Sequence, residues 1–201
     1  MRAIAIREDV RDLILDASER LLSRFGYAKM TMDDLAREVG IGKGTLYLHF
    51  PSKEEVVLSR LDRLIDRLTE ELSAIAASDR DPAEKLREML ITRVLFRFDA
   101  ARAYAESIDE MLAAIRPGLL ARRERHFARE AGVFAQLLDD AKRAGVFVFR
   151  DAGNTAQSLL LATNSLLPSS LTVKQLGHRG SVEAKVSNIA ALLINGLRRK
   201  S

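Results

Sequence analysis

Apolar residues recur at helical spacing along almost the whole chain. Val10, Leu13, Ile14, Ala17, Leu21 and Phe25 fall on one stripe. That stripe predicts a helix over about Glu8–Phe25, with Gly26 just past its end. Val56, Leu61, Leu64, Ile65, Leu68 and Leu72 predict a second long helix from Lys53 to about Ala76. After the polar break Ser78–Asp81, a helix carrying Leu86, Leu90, Val94 and Phe98 opens with Asp81 as cap, Pro82 at its first position and Glu84 in its first turn. Four more follow: roughly Ala103–Ile115; Pro117 to about Ala144, stopped by Gly145; Asp151 to Leu167, ended by Pro168; and a last one capped by Ser181 that runs to about Leu197. Residues 177–180 read as a loop, and Val-Phe-Val-Phe at 146–149 is the single segment with strand character. The pattern is that of an all-α protein.

The stretch Thr31–Glu55 has a different grain: two short helices around a glycine turn, then the start of the long helix. Thr31 is a good N-cap, and Asp34 sits where an acid complements the unpaired N–H groups. Leu35, Ala36 and Val39 share an apolar face, Gly40 falls where the chain must turn with positive φ, and Ile41 plugs the space between the helices. Lys43–Phe50 spans about two turns, with Leu46 and Phe50 inward and Lys43, Gly44, Thr45, Tyr47 and His49 on the opposite face. Pro51 ends that helix, and Ser52 with Glu55 forms a capping box for the next. Two short helices joined in this way are a helix-turn-helix, which lays its second helix in the major groove. A purely structural helical hairpin has the same local geometry.

Thr31, Ala36, Gly40 and Ile41, with Lys43-Gly-Thr-Leu-Tyr47, His49-Phe50 and Ser52-Lys-Glu54, resemble the TetR/AcrR family of bacterial repressors. The likeness covers about a quarter of the chain. Position 42 is Gly where the family often has Ser, and Leu48 stands where polar or aromatic residues are frequent. The resemblance implies DNA binding in which Thr31, Met32, Lys43, Tyr47, His49 and Lys53 lie near phosphates and Gly44 and Thr45 approach base edges. Tyr47 and Leu46 then come within reach of thymine methyl groups. It further implies a helix-turn-helix domain over residues 1–55 and a ligand-binding and dimerisation bundle over 56–201, about nine helices in all.

Charge does not announce nucleic acid. The net charge of the 201 residues is +4, and residues 1–60 hold ten Lys/Arg and ten Asp/Glu. DNA binding must then come from the placement of a few cations and backbone N–H groups. The chain has no cysteine, which excludes disulfides, thiol nucleophiles and thiolate metal sites and fits a cytoplasmic protein. No apolar run reaches the ~20 residues of a membrane span, and the charged start does not read as a signal peptide. Neither cofactor nor metal site is expected, and no catalytic motif is present; His126 and Glu130 share a helix face, but two ligands do not make a metal site. Gly40–Thr45 lacks the order of a phosphate-binding loop and follows no strand.

Other clusters have two readings each. Arg2, Arg7 and Arg11 form either a solvated end or an arm for the minor groove. Arg122, Arg123, Arg125, His126 and Arg129 are a solvated basic face, except that Arg123 lies on an apolar stripe, paired with a carboxylate or anchoring an anionic ligand. Phe96, Phe98, Tyr104, Met111, Phe127 and Phe134 read as core. The family resemblance implies a small, largely apolar inducer in this region; Phe96, Tyr104, Met111, Arg123, Phe127 and Phe134 are the candidates for holding it. The last two helices carry more apolar surface than one face uses, with Leu159, Leu160, Leu166 and Leu167 on one and Ile189, Leu192 and Leu193 on the other. A second copy of the chain would cover the excess in a two-fold four-helix bundle; a deeper core within one subunit would do so too. The expectation is a homodimeric, ligand-released repressor of a palindromic operator. Its alternatives are a DNA-binding protein without a small inducer, and a helical carrier or enzyme with an incidental hairpin.

Overall fold

The computed structural model describes residues 2–102, 107–168 and 173–198, the side chains of 2–9, 173 and 174 excepted. It is all-α: α1 (Arg2–Lys29), α2 (Met32–Val39), α3 (Lys43–His49), α4 (Lys53–Ala77), α5 (Pro82–Arg102), α6 (Ile108–Arg143), α7 (Ala152–Thr163), α8 (Val173–Leu176) and α9 (Arg179–Leu197), with a 3-10 turn at Asn164–Leu166. Residues 1–64 and 103–122 form one unit, 65–102 and 123–201 the other. Helices α4 and α6 therefore contribute to both.

In the first unit, α1 packs on α2 and α2 on α3. Ile14, Leu22, Leu35, Leu46, Phe50, Val56 and Val57 are all buried. Their burial is what holds α3, because a seven-residue helix is unstable by itself. Arg122 on α6 pairs with Glu55 at 2.6 Å and Asp62 at 3.2 Å on α4. A Cβ at Gly118 would come within 2.3 Å of Leu58 Cδ1, so a larger residue there requires the Leu58 side chain to shift.

In the second unit, Leu68 and Leu72 from α4, Leu86 and Leu90 from α5, Phe134 and Leu138 from α6, Leu160 from α7 and Ile194 from α9 build one core. Within it lies a buried ionic knot. Arg93 donates to Glu130 at 2.7 Å, to Thr163 Oγ1 at 2.9 Å, to Asn164 Oδ1 at 2.8 Å and to the Leu160 carbonyl at 3.2 Å. Arg97 pairs with the other oxygen of Glu130. Burial pulls the Arg93 guanidinium below its ordinary pKa, with Arg97 acting in the same direction and Glu130 opposing.

Several sequence expectations are corrected. The first helix starts at Arg2, ahead of the expected Glu8, and its regular part ends at Phe25 as expected. Gly26, at φ 74 and ψ 172, breaks it, and the chain resumes helical geometry to Lys29. The expected helices over 103–115 and 117–144 are one, α6, with Pro117 inside. Proline removes one ladder bond and strains the preceding turn. That turn is held by its neighbours, since Met111 and Ile115 are buried. The helix begun at Ala152 yields to the 3-10 turn before Leu167, where Arg93 takes the side chains of Thr163 and Asn164 and the Leu160 carbonyl. The last helix is capped by His178, whose Nδ1 accepts from the Ser181 N–H at 3.1 Å, so Ser181 is the third helical residue and not the cap. Segment 146–149 forms no strand; Phe147 makes one antiparallel bridge to Arg198, with the Val148 N–H donating to the Leu197 carbonyl at 2.8 Å.

Candidate nucleic-acid interface

Short-range chemistry builds the helix-turn-helix. The Thr31 hydroxyl accepts from the Asp34 N–H at 3.1 Å, and the Asp34 carboxylate accepts from the Thr31 N–H at 3.2 Å and its hydroxyl at 2.6 Å. This is a complete capping box. At the other end of α2, Gly40 adopts φ 77 and ψ 30, and the Gly40 and Ile41 N–H groups both return to the Ala36 carbonyl at 3.0 Å. Only glycine takes that backbone at little cost. Gly42 starts α3 with no side-chain cap, and the Phe50 N–H closes it on the Leu46 carbonyl at 3.0 Å.

The Thr31 hydroxyl, led by its own hydrogen bond, holds the Asp34 carboxyl below the ordinary 3.8. A carboxyl more acidic in the folded chain than in the unfolded one binds fewer protons when folded. Its stabilisation is complete above its unfolded value and disappears as pH falls through the folded one. Thr31→Ala is expected to lower the melting temperature at neutral pH by about 2–4 °C. That difference should shrink as the pH falls below about 4, which calorimetric scans on both proteins will check.

Five of the residues singled out in the sequence meet in one place. A groove of about 340 Å³ is lined by Thr31, Met32, Lys43, Tyr47 and Lys53, with Asp33 among them. Lys43 pairs with Asp33 at 2.7 Å, and that hydrogen bond, followed by the charge of Asp33, raises its pKa. Lys53 is held over the Tyr27 ring at 4.1 Å and donates to the Tyr27 carbonyl at 3.0 Å. The Tyr27 hydroxyl in turn donates to Glu54 at 3.0 Å, and burial, ahead of Glu54, raises its pKa. The groove thus presents two lysines beside the positive end of α2. The Thr31 hydroxyl is engaged in the cap of α2.

Gly44, Thr45, Tyr47 and Leu48 are exposed on α3, and His49 is half-buried at its end. Leu46 is completely buried, which corrects the expectation that it reaches a thymine methyl; Leu48, two residues on, is 75% exposed.

Arg11 is exposed, but its side chain is held by partners. It donates to the His49 carbonyl at 3.3 Å and to Ser59 Oγ at 2.9 Å, and its guanidinium lies 4.3 Å from the Phe50 ring centroid. It fixes the end of α3 from α1. Nothing in the periodicity marked this, since the partners lie 38 and 48 residues away. Arg20 ties α1 to α2 through Glu38 at 2.9 Å.

The residues proposed for a small ligand are not gathered in one unit. Phe134 is in the second core, with Phe96 and Phe127 packed against it. Met111 is buried in the first unit, Arg123 is exposed, and Tyr104 lies outside the described residues. Arg122, the neighbour of Arg123, is the residue that pairs with Glu55 and Asp62. Among the residues proposed for dimerisation, Leu159, Leu160, Leu166 and Leu167 are buried within the subunit, Ile189 and Leu193 are half-buried, and Leu192 is 74% exposed. Leu161, on the same helix as Leu159 and Leu160, is 57% exposed. Among the described residues no group of three or more His, Asp or Glu is placed to hold a metal ion, and no helix is long and apolar enough to cross a membrane.

The sequence model of bacterial regulatory proteins of the tetR family matches residues 14–59. The chain is 38% identical over 81 residues to the HTH-type transcriptional regulator EthR of Mycolicibacterium smegmatis, covering 40% of this chain and 37% of that protein. It is 34% identical over 88 residues to the HTH-type transcriptional regulator YhgD of Bacillus subtilis, 44% of each chain. The match therefore spans less than half the length of these curated relatives. A transcriptional regulator from Cytophaga hutchinsonii has the same fold at a TM-score of 0.77 and 19% identity, over 94% of this chain and 98% of that one. A TetR-family transcriptional regulator from Pectobacterium atrosepticum reaches 0.71 at 22% identity, over 98% and 97%.

Proposed function

We propose, from the chain's membership of the TetR family of transcriptional regulators, that it is a homodimeric repressor that binds a palindromic DNA operator and is released by a small, largely apolar ligand. The observation that carries DNA binding is the groove where Lys43, Tyr47 and Lys53 meet the start of α2, beside an α3 whose outer face is exposed. The lysines and the helix end suit phosphates, while Gly44 and Thr45 suit base edges. Two such helices, one from each subunit, would read half-sites spaced by a turn of DNA or a multiple of it.

The dimer rests on a different observation. Asn154, Gln157, Ser158, Leu161 and Ala162 form the outer face of α7, and Ala184, Asn188, Ala191, Leu192 and Asn195 that of α9; all ten are exposed. The two helices are neighbours. In a chain that is 30% charged, none of these ten residues is charged, with Lys185, exposed two turns before Leu192, at the border of the α9 face. Small residues at the centre allow close helix packing, and Leu161 and Leu192 supply the apolar area that a second copy would cover. Ligand release draws on the continuity of α4 and α6, which carry a change in the ligand-binding unit into the DNA-binding one. The effect is bounded by the difference in ligand affinity between the two states.

DNA selected from random duplexes tests the reading. Lys43→Ala is expected to bind that DNA and unrelated duplexes more weakly alike. The slope of log affinity against log salt should fall by about two, roughly one for each subunit's phosphate contact. Gel-shift titrations at several salt concentrations measure this. An unchanged slope would remove Lys43 from the interface.

A further inference from the structure

We infer that Leu48 is a base-reading residue, packing in each operator half-site against the 5-methyl group of a thymine. The inference rests on the DNA-binding reading above and adds which group of which base is sensed.

The outward surface of α3 divides into two strips. Lys43 and Tyr47, one turn apart, line the groove beside α2. That strip is cationic and hydroxylic, the chemistry of phosphate contact. Gly44 and Thr45 lie one turn before Leu48 and make the other strip. It has no charge, and Leu48 is its only large side chain. A Cβ built on Gly44 meets nothing within 4 Å, so this strip faces open space and is low enough for close approach to another surface.

Folding gives no reason for Leu48. The apolar needs of α3 are met by Leu46 and by Phe50 just beyond its end, both completely buried. Leu48, at 75% exposure, is the most exposed of the large apolar side chains in the described residues. Its apolar surface is accounted for if it is covered when α3 enters the duplex. The partner it then meets is set by the chemistry of the major groove. Base edges there present nitrogen and oxygen donors and acceptors, and the thymine methyl is the apolar group among them. A leucine aimed at the other edges would desolvate their polar atoms without replacing their hydrogen bonds.

The test replaces each conserved thymine of the selected operator with deoxyuridine, in both half-sites together, which deletes the methyl and leaves the pairing edge intact. One position per half-site is expected to weaken wild-type binding roughly fourfold per methyl, about fifteenfold for the pair. Leu48→Ala is expected to bind the thymine and deoxyuridine duplexes within about twofold of each other, the methyl contact of that size being gone. Leu48→Met, which keeps an apolar side chain, should retain the discrimination. Lys43→Ala should bind all duplexes weakly but keep their ratio. Position 48 is exposed and alanine favours helix, so circular dichroism should show both Leu48 variants folded. An operator with no methyl-sensitive thymine overturns the inference while leaving DNA binding standing. Equal sensitivity in Leu48→Ala also overturns it and assigns the contact to another residue, with the Tyr47 ring first in line. Failure of any duplex to be enriched overturns both readings.

Discussion

Glu130→Ala is expected to destabilise the protein by about 3–5 kcal/mol, a large part of the 5–15 kcal/mol that a folded domain of this kind has. The carboxylate is 2% exposed and sits between two guanidiniums, one of which, Arg93, is equally buried. Without it, Arg93 keeps the Leu160 carbonyl, Thr163 and Asn164 as acceptors but has no counter-charge. A buried charge with no opposite charge is far more costly than the pair it came from. Glu130→Gln should fall between wild type and alanine, because it keeps an acceptor and loses the charge. The double replacement Arg93→Met with Glu130→Leu should cost less than the two single losses added together, since it removes both charges from the interior. Urea unfolding of wild type, Glu130→Ala, Glu130→Gln, the single variants Arg93→Met and Glu130→Leu, and the double variant measures the series. Additive losses would mean that the knot is not an interacting unit.

Leu192→Glu is expected to abolish the dimer and lower operator affinity by two or more orders of magnitude, the scale on which linking two binding events raises overall affinity. In the proposed dimer a carboxylate at this position would face its own copy across the two-fold axis, among the uncharged residues Asn188, Ala191 and Asn195. Leu192 is 74% exposed in the subunit, so the subunit's own packing is not disturbed. Sedimentation should show a species of half the mass with helical circular dichroism retained. Gel shifts should show weak complexes with single half-sites. A variant that remains dimeric would place the interface elsewhere, and a monomeric wild type would remove it.

What the sequence made legible follows the range of the interactions. Thr31 with Asp34, Gly40 with Ala36, and Asp81 ahead of Pro82 each act within a few residues, and the structure has them where the pattern put them. Five phosphate candidates could be brought into one groove because α2, α3 and the start of α4 follow one another with tight turns. The Arg93 knot joins residues 37, 70 and 71 positions apart, and no spacing rule marks such a set. Pro117 marks a boundary in the sequence because proline weakens a helix locally; the burial that holds its helix together is a property of the packed chain. Periodicity likewise assigned Leu159, Leu160 and Leu192 to apolar helices but could not say which of them the subunit covers by itself.

The position of Arg11 bears on how this protein could be retargeted. The guanidinium that steadies the end of α3 belongs to a helix that begins some forty residues earlier in the chain. Libraries that randomise residues 43–45, 47 and 48 and leave the buried Leu46 in place would change the letters that are read while keeping the angle of reading. Varying position 11, with Ser59 beside it, adds a second and separate control, through which half-sites out of reach of the parental orientation become available to the same surface chemistry.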